Sequence, residues 1–70
     1  MNLVPEETIR LDQFLKVQGI AETGGRAKFM IQDGEVLVNG EIEKRRRCQL
    51  HQGDVVQVGE DEYLVQFDPD

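Results

Sequence analysis

The sequence lacks the residues that several kinds of protein depend on. It has no tryptophan, one cysteine and one histidine among 70 residues. Cys48 alone cannot form an internal disulfide, although a secreted domain of this size usually carries several. One histidine, His51, and one cysteine cannot supply the three or four ligands of a zinc site. We therefore expect a reducing, cytoplasmic location, no metal, and structural roles for Cys48, as a small buried residue, and for His51.

Long apolar runs are also missing. The longest are only three or four residues, Val36-Leu37-Val38 among them, far short of the roughly 20 needed to span a bilayer. The segment from Met1 to Glu7 lacks the basic start and the apolar run of a signal peptide. These absences predict that the chain neither inserts into a membrane nor is secreted.

The length leaves little room for an enzyme. A chain of 70 residues predicts one domain, residues 1–70 with a core over about 9–67, and such a domain buries only about 60% of its unfolded surface. A catalytic cleft would take up much of that small apolar core. We therefore expect a monomeric, non-catalytic binding protein with no cofactor and no small-molecule substrate.

The charge is acidic overall but unevenly distributed. The net charge is −6, yet all eight lysines and arginines lie between Arg10 and Arg47. Six acids accompany them there, which leaves a local charge of +2, and the flanks carry −8. This asymmetry permits a basic binding face on an otherwise acidic particle.

Two helices are predicted in the first half of the chain. Leu11, Phe14 and Leu15 recur at helical spacing before Gly19, which predicts a helix over about 10–18 with Lys16 pointing away from the apolar stripe. A second helix is predicted between Thr23, as its N-cap, and Asp33-Gly34. Its expected core residues are Ala27, Met30 and Ile31, which leaves Phe29 facing outward between Arg26 and Lys28.

The second half has the pattern of strands. Asn39-Gly40 between two extended runs predicts a hairpin with a type I′ turn, in which Leu37 faces Ile42. We expect these two side chains to point inward, and the basic run 44–47 to continue along the returning strand with Arg45 and Arg47 outward. Two more strands are predicted at 55–58 and 63–67, joined by a turn at 59–62. This order predicts an α+β domain with two N-terminal helices packed on one side of a small antiparallel β-sheet.

Four segments together resemble the S-four RNA-binding domain, which is named after ribosomal small-subunit protein four and is also called the alpha-L motif. One such piece is weak evidence, but four in the right order and at the right intervals are strong. The sequence also resembles the stand-alone bacterial proteins of the YbcJ type, which share Gln-Phe-Leu-Lys, Thr-Gly-Gly and an Arg-rich stretch after the hairpin. The four segments are Arg10-Leu11-Asp12-Gln13-Phe14-Leu15, Thr23 to Gly34, Val36-Leu37-Val38-Asn39-Gly40, and Leu50 with Gly53-Asp54-Val55-Val56.

The resemblance implies that structured RNA, such as ribosomal or transfer RNA, lies across the helix pair and the loop after the hairpin. Many family members begin the second helix with Ser-Arg, but here Gly24 takes the Arg position. Either Arg26 supplies that contact, or the Gly24 and Gly25 amides bind a phosphate directly. The candidate RNA-binding residues are Arg10, Lys16, Gly24, Gly25, Arg26, Lys28, Phe29, Lys44, Arg45, Arg46 and Arg47.

Physical chemistry alone leaves two interpretations of the basic run. Four consecutive cations repel one another unless phosphates or acids lie close. Arginine binds phosphate bidentately and stacks on bases, and Phe29 offers a stacking platform. The alternative is a solvated face in which Arg45 to Arg47 pair with Glu41 and Glu43. Phe29 has its own alternative, which is packing beneath Leu3-Val4.

Other functions fit the sequence less well. The acidic C-terminal part around Glu60-Asp61-Glu62 could make the protein an interaction module for a basic protein partner. A sulfur carrier of the β-grasp kind is disfavoured, because those proteins end in Gly-Gly and this sequence ends in Asp68-Pro69-Asp70. S-four domains are often appended to RNA-modifying enzymes, but 70 residues leave no room for a catalytic domain beside this one, so we expect only the RNA-binding part.

Overall fold

The computed structural model describes residues 7–67, which form two helices and six strands. The helices are α1 (Leu11–Val17) and α2 (Gly24–Gln32). The strands are β1 (Thr8–Arg10), β2 (Val36–Val38), β3 (Glu41–Ile42), β4 (Gln49–His51), β5 (Val55–Val58) and β6 (Asp61–Leu64). Both helices lie close to their predicted bounds.

The two helices begin in different ways. The Thr23 hydroxyl accepts a hydrogen bond from the Arg26 amide at 3.0 Å, which is the predicted N-cap of α2. At α1, Arg10 occupies the cap position but makes no side-chain cap. Because the first amides of a helix have no partner within it, the first two of α1 bind backbone carbonyls of residues 46 and 48, which are distant in the sequence.

The strands form two antiparallel sheets. Four strands are ordered β3-β2-β5-β6, and β1 pairs with β4 in a separate two-stranded sheet. The hairpin between β2 and β3 has the predicted register, Leu37 opposite Ile42. Asn39 and Gly40 have φ angles of 52° and 87°, as a type I′ turn requires.

The prediction that Leu37 and Ile42 face inward is wrong. Ile42 is 60% exposed, whereas Val36, on the opposite face of β2, is fully buried. The reason is the pairing of β2 with β5, which aligns Val38 with Val56, another fully buried residue. The inner face of the sheet is therefore formed by Val36, Val38, Val56 and Val58.

The predicted course of the basic run is also wrong. Strand β3 ends at Ile42, and residues 43–48 form a loop before β4 pairs with β1. This small second sheet, which places Ile9 opposite Leu50, was not predicted. It draws the chain away from β2, so Lys44 to Arg47 lie on a loop and not on a strand.

The last strand begins two residues earlier than predicted. Val58 pairs with Asp61 across a two-residue turn, in which Gly59 has a φ angle of 63°. Strand β6 therefore covers Asp61–Leu64 instead of 63–67. Val65, just beyond it, is buried and hydrogen-bonds through its backbone to Asp54 and Gly53.

The core lies between the helices and the inner face of the four-stranded sheet, which confirms the predicted α+β fold. Cys48 was predicted to be buried and is half-buried against this core. Within residues 7–67, neither helix has the length and apolar composition to cross a membrane. The buried apolar residues are Leu11, Phe14, Leu15, Ala21, Ala27, Met30, Ile31, Val36, Leu50, Val56 and Val65.

Candidate nucleic-acid interface

The basic loop, residues 44–47, is fixed to the N-terminus of α1. The Leu11 amide donates a hydrogen bond to the Cys48 carbonyl at 2.8 Å, and the Asp12 amide donates to the Arg46 carbonyl at 3.0 Å. These bonds satisfy two of the amides that a helix start leaves unpaired. The backbone of the basic loop is therefore held in place by α1, although the loop itself has no regular secondary structure.

Asp12 joins Arg10 to the basic loop. Its side chain is buried, and it accepts hydrogen bonds from Arg10 Nε at 3.1 Å and Arg10 Nη2 at 2.9 Å. Arg46 Nε lies 3.9 Å from the same carboxylate. The hydrogen bonds from Arg10 are the main reason that the pKa of Asp12 is lowered. One buried carboxylate thus holds two of the predicted RNA-binding cations side by side.

Arg45 has an acidic partner of its own. Its Nε donates to Glu43 Oε2 at 2.9 Å, and its backbone amide donates to the same oxygen at 3.0 Å. These bonds lower the pKa of Glu43 to about 2, and the bond from the Arg45 side chain contributes most to that shift. The solvated-face interpretation is therefore correct for Arg45 with Glu43, but Glu41 forms no salt bridge with the loop in the described part of the chain.

Lys44 and Arg47 have no acidic partner within 4.0 Å among residues 7–67. The aliphatic stem of Lys44 passes beside Gly34 at the end of α2. Arg47 is exposed and lines an open hollow of about 550 Å³ with Arg45, Arg46, Cys48 and Gln49. Burial is the main cause that raises the pKa of the Cys48 thiol. The hollow therefore presents guanidinium groups and a protonated thiol.

A second set of candidates lies on the helices. Phe29 is 56% exposed, and the guanidinium carbon of Arg26 lies 5.9 Å from the centre of its ring, within cation–π range. Lys16 and Lys28 are exposed. No hydrogen bond or salt bridge in residues 7–67 joins this set to the basic loop. The alternative in which Phe29 packs beneath Leu3-Val4 falls outside the described residues.

The start of α2 is open on its outer side. A Cβ built on Gly24 would meet no atom within 4 Å, and one on Gly25 would meet only Thr23 Oγ1 at 3.9 Å. Packing therefore does not require glycine at either position. The Thr23 hydroxyl binds the Arg26 amide, so the Gly24 and Gly25 amides are the ones left for an anion.

Asp12 is a residue of this site that the sequence did not nominate, whereas Glu43 was predicted only as an acidic partner of the basic run in the solvated-face interpretation. Asp12 lies in the Arg10-Leu11-Asp12 segment that carries the family resemblance, which is the one signal that pointed to it. No group of three or more histidine, cysteine or acidic side chains in residues 7–67 is arranged to hold a metal ion.

The fold and this site define a class of protein. Two short helices, a small antiparallel sheet and a basic loop fixed to the first helix form an S-four-type α+β domain. The chain belongs to the S4 domain family, because the family model described as "S4 domain" matches residues 3–66. The family prediction is confirmed.

Two curated relatives and one solved structure are similar to this chain. The "Probable ribosome maturation protein RlbA" of Bacillus subtilis is 44% identical over 55 residues, which are 79% of this chain and 78% of that protein. The "Putative RNA-binding protein YbcJ" of Escherichia coli is 40% identical over 48 residues, 69% of each chain. Heat Shock Protein 15 of Vibrio cholerae, solved as a trimer, superposes with a TM-score of 0.74 at 26% identity, over 91% of this chain and 68% of that one.

Proposed function

We propose that the protein binds structured RNA, without catalysis, through the basic loop and the adjoining helix ends. The proposal rests on the way the basic loop is held. The first two amides of α1 donate hydrogen bonds of 3.0 and 2.8 Å to the carbonyls of Arg46 and of Cys48, which follows the loop. Lys44 and Arg47 have no acidic partner among residues 7–67. A fixed loop loses little conformational entropy on binding. Cations on such a loop can bind phosphates that displace counterions.

The proposal assigns different tasks to the two sets of cations. Lys44, Arg46 and Arg47 bind the phosphate backbone, and Arg10 supports Arg46 through Asp12. Arg26 and Phe29 present a flat surface on which an unpaired base can stack. An RNA that offers both a helical backbone and an unstacked base fits this arrangement better than a regular duplex does.

The names of the relatives support the choice of RNA. One is named for ribosome maturation and another for RNA binding. We therefore propose ribosomal RNA, or an RNA of a ribosome precursor, as the ligand. The proposal includes a monomer acting in the cytoplasm, since one copy of the chain supplies every residue of the site.

The test compares three single variants that each change the charge by one unit. Arg47→Gln should weaken binding to a stem-loop RNA by roughly three- to tenfold and make the slope of log K against log salt shallower by about one unit. Arg45→Gln should weaken binding less, because Glu43 already offsets that charge. The control Gln66→Glu lowers the net charge equally at an exposed position outside the loop and should leave affinity within about twofold.

The measurement is fluorescence anisotropy at several salt concentrations, with a DNA duplex of the same sequence as the competitor. If Gln66→Glu weakens binding as much as Arg47→Gln does, only the total charge matters and the proposed site is wrong. A salt response that stays flat would contradict phosphate binding altogether.

A further inference from the structure

The outer face of the four-stranded sheet carries an apolar strip. Register places Ile42 beside Leu37 across β3 and β2, and Val55 beside Leu64 across β5 and β6. The pairing of β2 with β5 sets Leu37 opposite Gln57, so Val55 is its diagonal neighbour. With strands about 4.8 Å apart, the strip crosses roughly 14 Å of sheet.

This strip is open to solvent in the part of the chain that the structure describes. Ile42 is 60% and Leu64 is 52% exposed, and Leu37 and Val55 are partly exposed. Residues on the inner face of the same strands, such as Val36 and Val56, are fully buried. An apolar row on the face away from the core, contributed by every strand of the sheet, is typical of a contact surface and contributes nothing to the core of this fold.

Acidic residues border the strip at its β6 end. Glu62 lies on the same face in the row of Gln57, and Glu60 is exposed in the turn before β6. The sequence has no lysine or arginine after Arg47. Lys44 approaches the strip at one end, since its stem and the Ile42 side chain both lie near Gly34. Two acids, Glu60 and Glu62, against one lysine make the surroundings of the strip negative, most of all at its β6 end.

We propose that this apolar strip and its acidic border bind a cationic, amphipathic segment of another protein. A second copy of the chain fits poorly, because each copy would bring the same excess of acids to the contact. Four partly exposed side chains also fall well below the roughly 800 Å² per partner that a stable dimer buries. RNA is disfavoured by the same negative charge. A segment that alternates apolar residues with lysine or arginine complements both the strip and its border.

The position of the strip connects this partner to the proposed RNA. Its Ile42 end adjoins Lys44 of the basic loop, and its Leu64 end adjoins the acids of β6. A protein segment on the strip would therefore lie beside RNA bound at the basic loop, with its cations directed to the β6 end. Basic protein segments that themselves contact RNA match this description.

The test uses three synthetic peptides of about a dozen residues each and the isotope-labelled protein. One peptide alternates leucine with lysine, the second alternates leucine with glutamate, and the third alternates serine with lysine. Only the leucine–lysine peptide should shift the amide resonances of Ile42, Val55 and Leu64 in a saturable way. Shifts confined to the helices, or equal binding of the leucine–glutamate peptide, would overturn the proposal.

Variants separate this surface from the RNA site. Leu64→Thr and Ile42→Thr both leave threonine, a β-branched residue that suits a strand, and should each weaken binding of the leucine–lysine peptide at least fivefold, while binding of the stem-loop RNA stays within about twofold. The matched control Val17→Thr removes an apolar side chain that is 72% exposed on α1 and should leave peptide binding unchanged. Peptide binding that survives both strand variants would overturn the proposal.

Sedimentation of the protein alone tests whether a second copy of the chain covers the strip. We expect a monomer at all concentrations used for the peptide titration. Self-association that Leu64→Thr abolishes would mean that a second copy covers the strip, and the proposal of a cationic partner would then be wrong. Because RNA binding is measured on the same variants, either proposal can fail without the other.

Discussion

Asp12 is the residue through which the basic loop and the first helix depend on each other. Its backbone amide binds the Arg46 carbonyl, and its buried carboxylate accepts two hydrogen bonds from Arg10. A third bond, from the Gln13 amide at 2.8 Å, holds the carboxylate in place. Charge-assisted hydrogen bonds of this kind are the strong ones, so this side chain has a structural role that its sequence neighbours do not share.

Asp12→Asn should therefore lower the free energy of unfolding by about 1–3 kcal/mol, since asparagine keeps the shape but replaces an ionised acceptor of the Arg10 bonds. Urea unfolding at neutral pH measures this. Asp33→Asn is the matched control, because Asp33 is exposed and its carboxylate forms no salt bridge within residues 7–67. If Asp33→Asn lowers the free energy of unfolding as much as Asp12→Asn does, the hydrogen bonds from Arg10 do not stabilise the fold.

Glu43 makes the stability of the domain depend on pH in the acidic range. The pKa of Glu43 is lowered from its ordinary value of 4.5 to about 2 in the folded protein, so the folded state favours the ionised form. The stabilisation is therefore complete above pH 4.5 and is lost as the pH falls towards 2. The pair with Arg45 lies at the surface, where water screens it, so its contribution to stability is small.

Glu43→Gln should accordingly lower stability slightly at pH 7 and make the decline between pH 5 and pH 2 less steep than in the parent. Thermal unfolding across this range checks it. The control is Glu60→Gln, because Glu60 forms no salt bridge in the described part of the chain. If both variants follow the same pH profile, the acid response arises elsewhere, for example at Asp12.

At the scale of elements, the hairpin between β2 and β3 is the turn that leads into the basic loop. Gly40 has a φ angle of 87°, and a Cβ added there would meet no atom within 4 Å. The cost of a side chain at this position is therefore conformational and not steric crowding by neighbours. Gly40→Val should lower the free energy of unfolding by at least about 1 kcal/mol.

Gly24→Ala is the contrasting variant. Gly24 is in α2, its φ angle is not positive, and its Cβ would also meet open space. Alanine should leave stability unchanged or raise it slightly, because it restricts the unfolded chain without strain in the helix. A melting temperature that is the same for Gly40→Val as for the parent would contradict the type I′ geometry.

Local signals predicted the helices and the hairpin because each depends on contacts within a few residues. Thr23 and Asn39-Gly40 act on their immediate neighbours, and the structure confirms both. The face of the sheet on which Ile42 lies could not be predicted in this way. Val36, Leu37 and Val38 are all apolar, so alternation along β2 does not select a face. The polar residue Gln57 lies opposite Leu37 on β5 and identifies that face as the outer one. This signal can be used only once the distant pairing of β2 with β5 is known.

The same limit applies to the candidate site. The basic run and Arg10 are recognisable by residue type, whereas the bridge between them is a contact over 34 positions, from Asp12 to Arg46. It depends on the small sheet of β1 and β4, and three-residue strands give too short a pattern to be detected. The sequence therefore identified the cations but not the residues that orient them.

At the scale of the whole molecule, the charge is divided between the basic loop and an acidic C-terminal part. If three to five phosphates are neutralised, log K for RNA should fall against log salt with a slope of roughly −3 to −5. The net charge of −6 should keep binding to unrelated polyanions weak. Titrations with the stem-loop RNA and with heparin at matched salt concentrations check both expectations, and tight binding to heparin would contradict a confined basic face.

The most decisive comparison replaces whole charge groups. Arg45, Arg46 and Arg47 changed together to Gln should lower stability only slightly. Arg10 still binds Asp12, Arg46 lies 3.9 Å from that carboxylate without a hydrogen bond to it, and Arg45 is exposed. RNA affinity should nevertheless fall at least tenfold, and the salt slope should become shallower by up to about three units.

The counterpart of this arginine variant is an acidic variant in which Glu60, Asp61 and Glu62 are changed to Gln. It should leave RNA affinity intact or raise it, since charges beyond the Debye length of about 8 Å interact weakly at physiological salt. If the arginine variant binds RNA like the parent and the acidic variant loses the leucine–lysine peptide, protein binding through the sheet is the function and the basic loop is only a solvated face.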